Sequence, residues 1–117
     1  MTMFDRRKVK RRFLLYYMRV FDSERREQLG NLVDITPLGA MIVSENKLPE
    51  NEMYQLKIEL SADVSELPFL ELKALSIWCH QDIDPSLFNT GFRFQDVPAE
   101  AYDIIQNIIE RYGFREN

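Results

Sequence analysis

A dense run of basic side chains near the N-terminus is the first candidate binding feature in this sequence. These charges repel one another, so an ordered form of the segment needs an anion beside it. An arginine guanidinium can donate two parallel hydrogen bonds to a phosphate or to the O6 and N7 edge of guanine, and its flat face can stack on a base. The run is a candidate phosphate or nucleotide contact, with a merely solvated terminus as the alternative. Its cations are Arg6, Arg7, Lys8, Lys10, Arg11 and Arg12.

A second candidate is the segment 34–39, Asp-Ile-Thr-Pro-Leu-Gly, which follows a predicted strand. Its composition is typical of a turn. Such a turn presents a carboxylate (Asp34), a hydroxyl (Thr36) and backbone N–H groups together. The carboxylate can accept from guanine N1–H and N2–H, while the hydroxyl or an N–H can hold phosphate. Taken alone, the segment is also compatible with an ordinary β-turn.

Few residues are available for catalysis or metal binding. The chain has one cysteine, Cys79, and one histidine, His80. Cys79 and His80 are neighbours on a predicted strand, so their side chains point to opposite faces and cannot act together as nucleophile and base. We find no other nucleophile–base pair and expect that the protein is not an enzyme. Asp82 and Asp84 lie in a predicted loop without a third ligand nearby, so we expect no metal and no cofactor. A single cysteine allows no internal disulfide, which favours a reducing cytoplasm.

The net charge of −4 averages two unlike parts of the chain. Without the six cations of residues 6–12, nine basic residues face all 19 acidic ones, a balance of about −10. We expect this acidic body to disfavour nucleic acid, while a compact basic segment suits one small anion. No apolar run approaches the ~18–20 residues that cross a bilayer, so no membrane partner is expected. The length of 117 residues predicts one domain.

The elements that must position these residues are mainly strands. Dense apolar segments predict strands over 13–21, 29–35 and 40–43, with a polar hairpin tip at 22–27. Alternating apolar and polar residues predict strands over 53–60, 69–80 and 88–95. Trp78 shares the parity of the buried side of its strand, so we expect it in the core, with ligand contact as the alternative. Apolar spacing of three and four residues predicts an amphipathic helix over about 98–113. The pattern indicates a small antiparallel barrel or sandwich with a docked helix.

The two motifs in this order resemble the PilZ domain family, bacterial receptors for the second messenger cyclic di-GMP. Arg7-Lys8-Val9-Lys10-Arg11 resembles the family's Arg-x-x-x-Arg, and residues 34–39 resemble its Asp/Asn-x-Ser/Thr-x-x-Gly, with Thr36 where serine is usual. The strand ending in Trp78, the Gly91-Phe92-Arg93-Phe94 strand and the closing helix also look like PilZ. The resemblance implies an all-β fold: a six-stranded antiparallel β-barrel (residues 13–117) with a C-terminal helix, preceded by a basic N-terminal arm (residues 1–12).

The resemblance also implies roles for single residues. Arg7 and Arg11 would hold the guanines and phosphates of cyclic di-GMP. Asp34 would hydrogen-bond a guanine edge, Thr36 would bond near the phosphate, and Gly39 would let the backbone approach closely. A second frame of the first motif, Lys8 to Arg12, stays open, although a lysine cannot fork two hydrogen bonds. The auxiliary contacts would be Arg6, Lys8, Arg12 and Arg93, with a surface ion pair as the alternative for Arg93.

These observations predict a cytoplasmic receptor or adaptor, a monomer or weak dimer. Without ligand we expect the arm to be mobile or loosely attracted to the acidic body. Ligand would fold it across the barrel mouth, and a partner protein would recognise the new surface. One alternative is a degenerate PilZ-like module that binds a protein partner without nucleotide. Another is a weak nucleic-acid binder with a steep salt dependence.

Overall fold

Six antiparallel strands close into a barrel, and one helix follows them. The structure, a computed structural model, describes residues 18–112. The strands pair around the barrel in the order β1-β2-β3-β6-β5-β4, so β1 also pairs with β4. The predicted barrel is confirmed, although residues 13–17 of the first predicted strand lie outside the described residues. The elements are β1 (Arg19–Asp22), β2 (Glu27–Thr36), β3 (Gly39–Ser44), β4 (Met53–Glu59), β5 (Phe69–Gln81), β6 (Phe88–Gln95) and α1 (Ala99–Tyr112).

The barrel interior is filled by the apolar side of each strand. Leu32, Ile42, Leu56 and Ile58 are completely buried. Burial of such a side chain contributes roughly 1.5–3 kcal/mol, so each of these positions contributes substantially to the stability of the barrel. The helix α1 packs against β2 and β5. Its buried residues follow the helical spacing that the sequence predicts: Ala101, Ile104, Ile105 and Ile108.

The end of α1 is tied to the loop between β4 and β5. The Tyr112 hydroxyl donates to Asp63 Oδ2 at 2.6 Å, and Asn107 Nδ2 donates to the Val64 carbonyl at 3.1 Å. Hydrogen bonds from Ser61 and Tyr112 lower the pKa of Asp63. The carboxylate is thus the form that holds this helix end in place.

A register shift in β5 moves Trp78 out of the core. The pairing of β5 with β6 slips between Ser76 and Trp78, which marks a β-bulge. Ser76 and Cys79 are buried, whereas Trp78 is only half-buried and His80 is exposed. The prediction that Trp78 belongs to the core is therefore wrong, because the extra residue of the bulge reverses the alternation after Ser76.

The β1–β2 hairpin depends on one buried carboxylate. The tip lies between Asp22 and Glu27, as predicted, but Asp22 itself is only 1% exposed. Its Oδ1 accepts the N–H groups of Glu24 and Arg25 at 3.0 and 3.2 Å, and its Oδ2 accepts Arg25 Nη1 at 2.6 Å. Asp22 thus closes the turn that joins the two strands.

Alanine at Asp22 is expected to lower the free energy of unfolding by about 2–4 kcal/mol. Two backbone N–H donors of the turn lose their acceptor, and a charge-assisted hydrogen bond is lost with them. Urea unfolding measures the effect. Asp22→Asn keeps one oxygen acceptor, so its free energy of unfolding should fall by less than that of Asp22→Ala. Glu24→Ala, an exposed change in the same turn, should stay within about 0.5 kcal/mol. Equal losses for Asp22→Ala and Glu24→Ala would contradict this role.

Candidate ligand-binding site

The β2–β3 hairpin holds the three residues of the second sequence motif. Thr36 and Gly39 are paired across the hairpin and joined by a two-residue turn. The Leu38 N–H donates to Thr36 Oγ1 at 3.1 Å, and the Ile35 N–H donates to Asp34 Oδ1 at 2.9 Å. Each local bond uses one acceptor site on its oxygen and orients the side chain. The Asp34 carboxylate and the Thr36 hydroxyl retain further hydrogen-bonding capacity.

Asp34 and Thr36 lie on the same outer face of the barrel. Both are exposed, while Val33 and Ile35 are buried. The pairing of β2 with β3 shifts between Leu32 and Asp34, and Asp34 and Thr36 then alternate outward in the usual way. The carboxylate and the hydroxyl therefore face solvent on one side of the strand, where a single small ligand can reach both.

Gly39 is fixed by the neighbouring strand. It pairs with Arg93 of β6, and a Cβ built on it would lie 2.0 Å from the backbone oxygen of Phe92. Its φ is not positive, so the requirement for glycine here comes from space and not from backbone conformation. The structure thus shows a close approach of β3 to β6; an approach of Gly39 to a ligand stays a prediction.

Arg93 lies on the same outer face as the motif. It pairs with Gly39 on one side and Leu75 on the other, in the row that continues from Thr36. Its side chain is exposed and forms no ion pair within residues 18–112. The surface ion pair that was the alternative expectation for Arg93 is thus not seen among the described residues. The guanidinium on this face is available to bind an anion.

Trp78 adds an aromatic surface beside the motif. The next row of cross-strand neighbours runs from Asp34 through Met41 and Gly91 to Trp78. A Cβ on Gly91 would meet the indole ring at 2.4 Å, so the ring lies directly across this glycine. A half-buried indole on an outer face is suited to stacking on a base. The alternation of residues along β5 predicted Trp78 in the core. The sequence signal for its outward position was Gly91, the small residue opposite it that leaves room for the ring.

The six cations of the basic run lie outside the described residues: Arg6, Arg7, Lys8, Lys10, Arg11 and Arg12. The described chain begins beside the candidate face, because the Leu32 N–H donates to the Met18 carbonyl at 2.9 Å. Leu32 is two residues from Asp34. Within residues 18–112 no group of His, Cys, Asp or Glu side chains is arranged to hold a metal ion, and no helix there is long and apolar enough to cross a membrane.

The exposed hairpin motif and the neighbouring arginine and indole form a candidate ligand-binding face on a closed barrel. The family model for the PilZ domain matches residues 5–111. The chain therefore belongs to the PilZ domain family, a family of cyclic di-GMP receptor domains. No curated protein matches this sequence.

Solved structures with the same fold include proteins from two bacteria. The complex of Escherichia coli YcgR with c-di-GMP has a TM-score of 0.60 and 18% identity, covering 80% of this chain and 39% of YcgR. Bacillus subtilis MotI, an inhibitor of motility, has a TM-score of 0.65 and 18% identity, covering 80% of this chain and 46% of MotI. The isolated PilZ domain of YcgR with c-di-GMP has a TM-score of 0.59 and 17% identity, covering 84% of this chain and 83% of that domain. This chain thus spans less than half the length of the first two proteins.

Proposed function

We propose that this protein is a non-enzymatic cytoplasmic receptor or adaptor for cyclic di-GMP. The observation that supports it most is the joint exposure of Asp34 and Thr36 on one face of a PilZ-family barrel, next to Arg93. A carboxylate, a hydroxyl and a guanidinium are the groups that match a guanine edge and a phosphate. The E. coli structures with this fold contain c-di-GMP.

In this proposal each exposed group has one partner on the ligand. Asp34 accepts the N1–H and N2–H of one guanine. Thr36 donates to a phosphate oxygen, and Arg93 is an auxiliary phosphate contact. Trp78 offers its ring face beside them. Arg7 and Arg11 of the arm hold the guanines and phosphates from the other side, with Arg6, Lys8 and Arg12 as auxiliary contacts.

The start of the described chain supports a role for the arm. Met18 lies beside Leu32, and Arg11 is seven positions before it in the chain. Seven extended residues span up to about 25 Å, which is enough to bring Arg11 to the face that holds Asp34. A dianionic ligand would neutralise part of the repulsion among the arm's cations and hold the arm against the barrel. A partner protein would then recognise the altered surface.

Isothermal titration with cyclic di-GMP at low salt tests the proposal, with GTP and cyclic di-AMP as controls. We expect heat with cyclic di-GMP, and Asp34→Ala should weaken binding at least 10-fold because two hydrogen bonds to guanine are lost. Arg93→Ala should cost only a few-fold. Asp103→Ala removes an exposed carboxylate from the helix and should change nothing. If the unmodified chain gives no heat with cyclic di-GMP, the proposed receptor function is rejected. Capture of a partner protein by the same chain would then favour the alternative of a module that binds a protein without nucleotide.

A further inference from the structure

A second surface of the barrel has an apolar floor and a cationic rim. A cavity of about 470 Å³ lies on the outer side of β1, β4 and the start of β5, lined by Phe21, Asp22, Ser23, Arg26, Lys57 and Phe69. The rings of Phe21 and Phe69 meet edge to face with centroids 6.4 Å apart, and Lys57 Nζ lies 4.4 Å from the Phe69 centroid. We name this surface the Phe21–Phe69 cavity. It lies on strands other than those that hold Asp34, Thr36 and Arg93.

The Phe21–Phe69 cavity is bordered by two cations, on a barrel that is acidic as a whole. Acidic residues outnumber basic ones across residues 18–112, and three of those basic residues are held in ion pairs: Arg19, Arg25 and Arg111. Arg26 and Lys57 form no ion pair within the described residues. Asp22, the carboxylate in the lining, is occupied by Arg25 and the hairpin N–H groups. A second carboxylate, Glu71, is the cross-strand partner of Lys57 and accepts from Ser23 Oγ at 2.6 Å, so the two cations exceed it by one charge. The cavity therefore suits an apolar group flanked by negative charge.

The β5–β6 loop of the same chain presents such a group. Ile83 is 95% exposed and stands between Asp82 and Asp84. The loop is held by its own hydrogen bonds: the Asp82 N–H donates to the Leu87 carbonyl at 2.9 Å, the Ser86 N–H to Asp84 Oδ1 at 3.0 Å, and Asn89 Nδ2 to Asp82 Oδ1 at 2.8 Å. Bonds from Ser86 also lower the pKa of Asp84. The loop thus fixes an aliphatic side chain in water between two carboxylates.

We propose that Ile83 of one copy inserts into the Phe21–Phe69 cavity of a second copy, with its flanking carboxylates beside Lys57 and Arg26. The apolar side chain would leave water against two aromatic rings, and the charges on the two surfaces are opposite. Because the contact joins two different surfaces, it is heterologous. A contact built on one inserted side chain and its two neighbours cannot bury the ~1,200 Å² of a stable interface, so we expect weak association that depends on concentration. It needs no nucleotide.

Sedimentation equilibrium of the full chain without nucleotide tests this contact. We expect the average mass to rise above 13.9 kDa as the concentration increases. Ile83→Arg places a cation opposite Lys57 and Arg26, and Lys57→Glu removes the charge match. Each variant should weaken association at least 10-fold. Ile83 is almost fully exposed, so its replacement leaves the fold intact, which circular dichroism verifies. Tyr102→Ala, at another exposed apolar side chain, should have no effect.

A mixture of the two variants gives the most specific result. The Ile83→Arg chain keeps an intact cavity, and the Lys57→Glu chain keeps an intact Ile83 loop, so mixing them should restore a one-to-one complex. A mass that stays at 13.9 kDa for the unmodified chain at every concentration would overturn the proposal. Association that persists in both variants would also overturn it, because another surface, such as the arm, would then be responsible. A mixture that remains monomeric would overturn it as well.

Discussion

Alanine at Arg7 or Arg11 is expected to weaken cyclic di-GMP binding about 100-fold, the largest effect of any single change in this chain. In the proposed site each guanidinium forks two charge-assisted hydrogen bonds to the ligand. Losing such a pair removes about 3 kcal/mol, which corresponds to roughly two orders of magnitude in affinity. Isothermal titration at low salt measures the loss. Arg7→Lys keeps the charge but cannot donate two parallel hydrogen bonds, so affinity for cyclic di-GMP should still fall about 10-fold.

Lys8→Ala and Arg12→Ala are the matched controls, because they remove the same charge from the same segment. In the favoured frame they should cost only a few-fold, since they act through general electrostatics. A reversed pattern would assign the motif to the frame from Lys8 to Arg12. Equal small losses at all four positions would mean diffuse attraction of the ligand to the arm and would contradict a specific site.

Much of the barrel could be predicted because its wall has one inner and one outer face. In β4 the alternation of Tyr54, Leu56 and Ile58 with polar neighbours matches their burial, and β6 behaves in the same way at Phe92 and Phe94. The change to helical spacing after residue 98 was equally clear. These patterns are local, so a single sequence contains them.

The details around the candidate site could not be predicted, because they depend on how strands align with their neighbours. The bulge in β5 turned Trp78 outward, and the pairing shift before Asp34 lies in the middle of β2. Neither follows from the alternation within its own strand. Asp22 shows the same limit: a polar tip suggests exposure, but its carboxylate is buried by the backbone that it bonds. Asp34 and Thr36 are exposed in the structure, and their contact with a ligand stays a prediction. Trp78 was expected in the core, with ligand contact as the alternative, and the structure places it half-buried beside them.

Gly39→Ala is expected to lower the free energy of unfolding by about 3 kcal/mol. The new Cβ would lie 2.0 Å from the Phe92 backbone oxygen, so β3 and β6 must separate where they pair. Forcing a backbone shift in a packed region costs typically 1–3 kcal/mol, and here the obstructing atom belongs to the ladder itself. Such a loss is a large share of a small domain's total stability of about 5–15 kcal/mol. Urea unfolding followed by circular dichroism measures it.

Two neighbouring changes separate a steric cause from a ligand role. Leu38→Ala alters the same turn at a side chain that is 79% exposed, and should stay within about 0.5 kcal/mol. Gly91→Ala meets the Trp78 ring instead of backbone, so it should shift the emission of the chain's single tryptophan at a smaller cost in stability. If Gly39→Ala is as stable as Leu38→Ala but fails to bind cyclic di-GMP, glycine is required at this position by the ligand and not by β6. If it unfolds early and binds normally when folded, the packing of β3 against β6 is the reason.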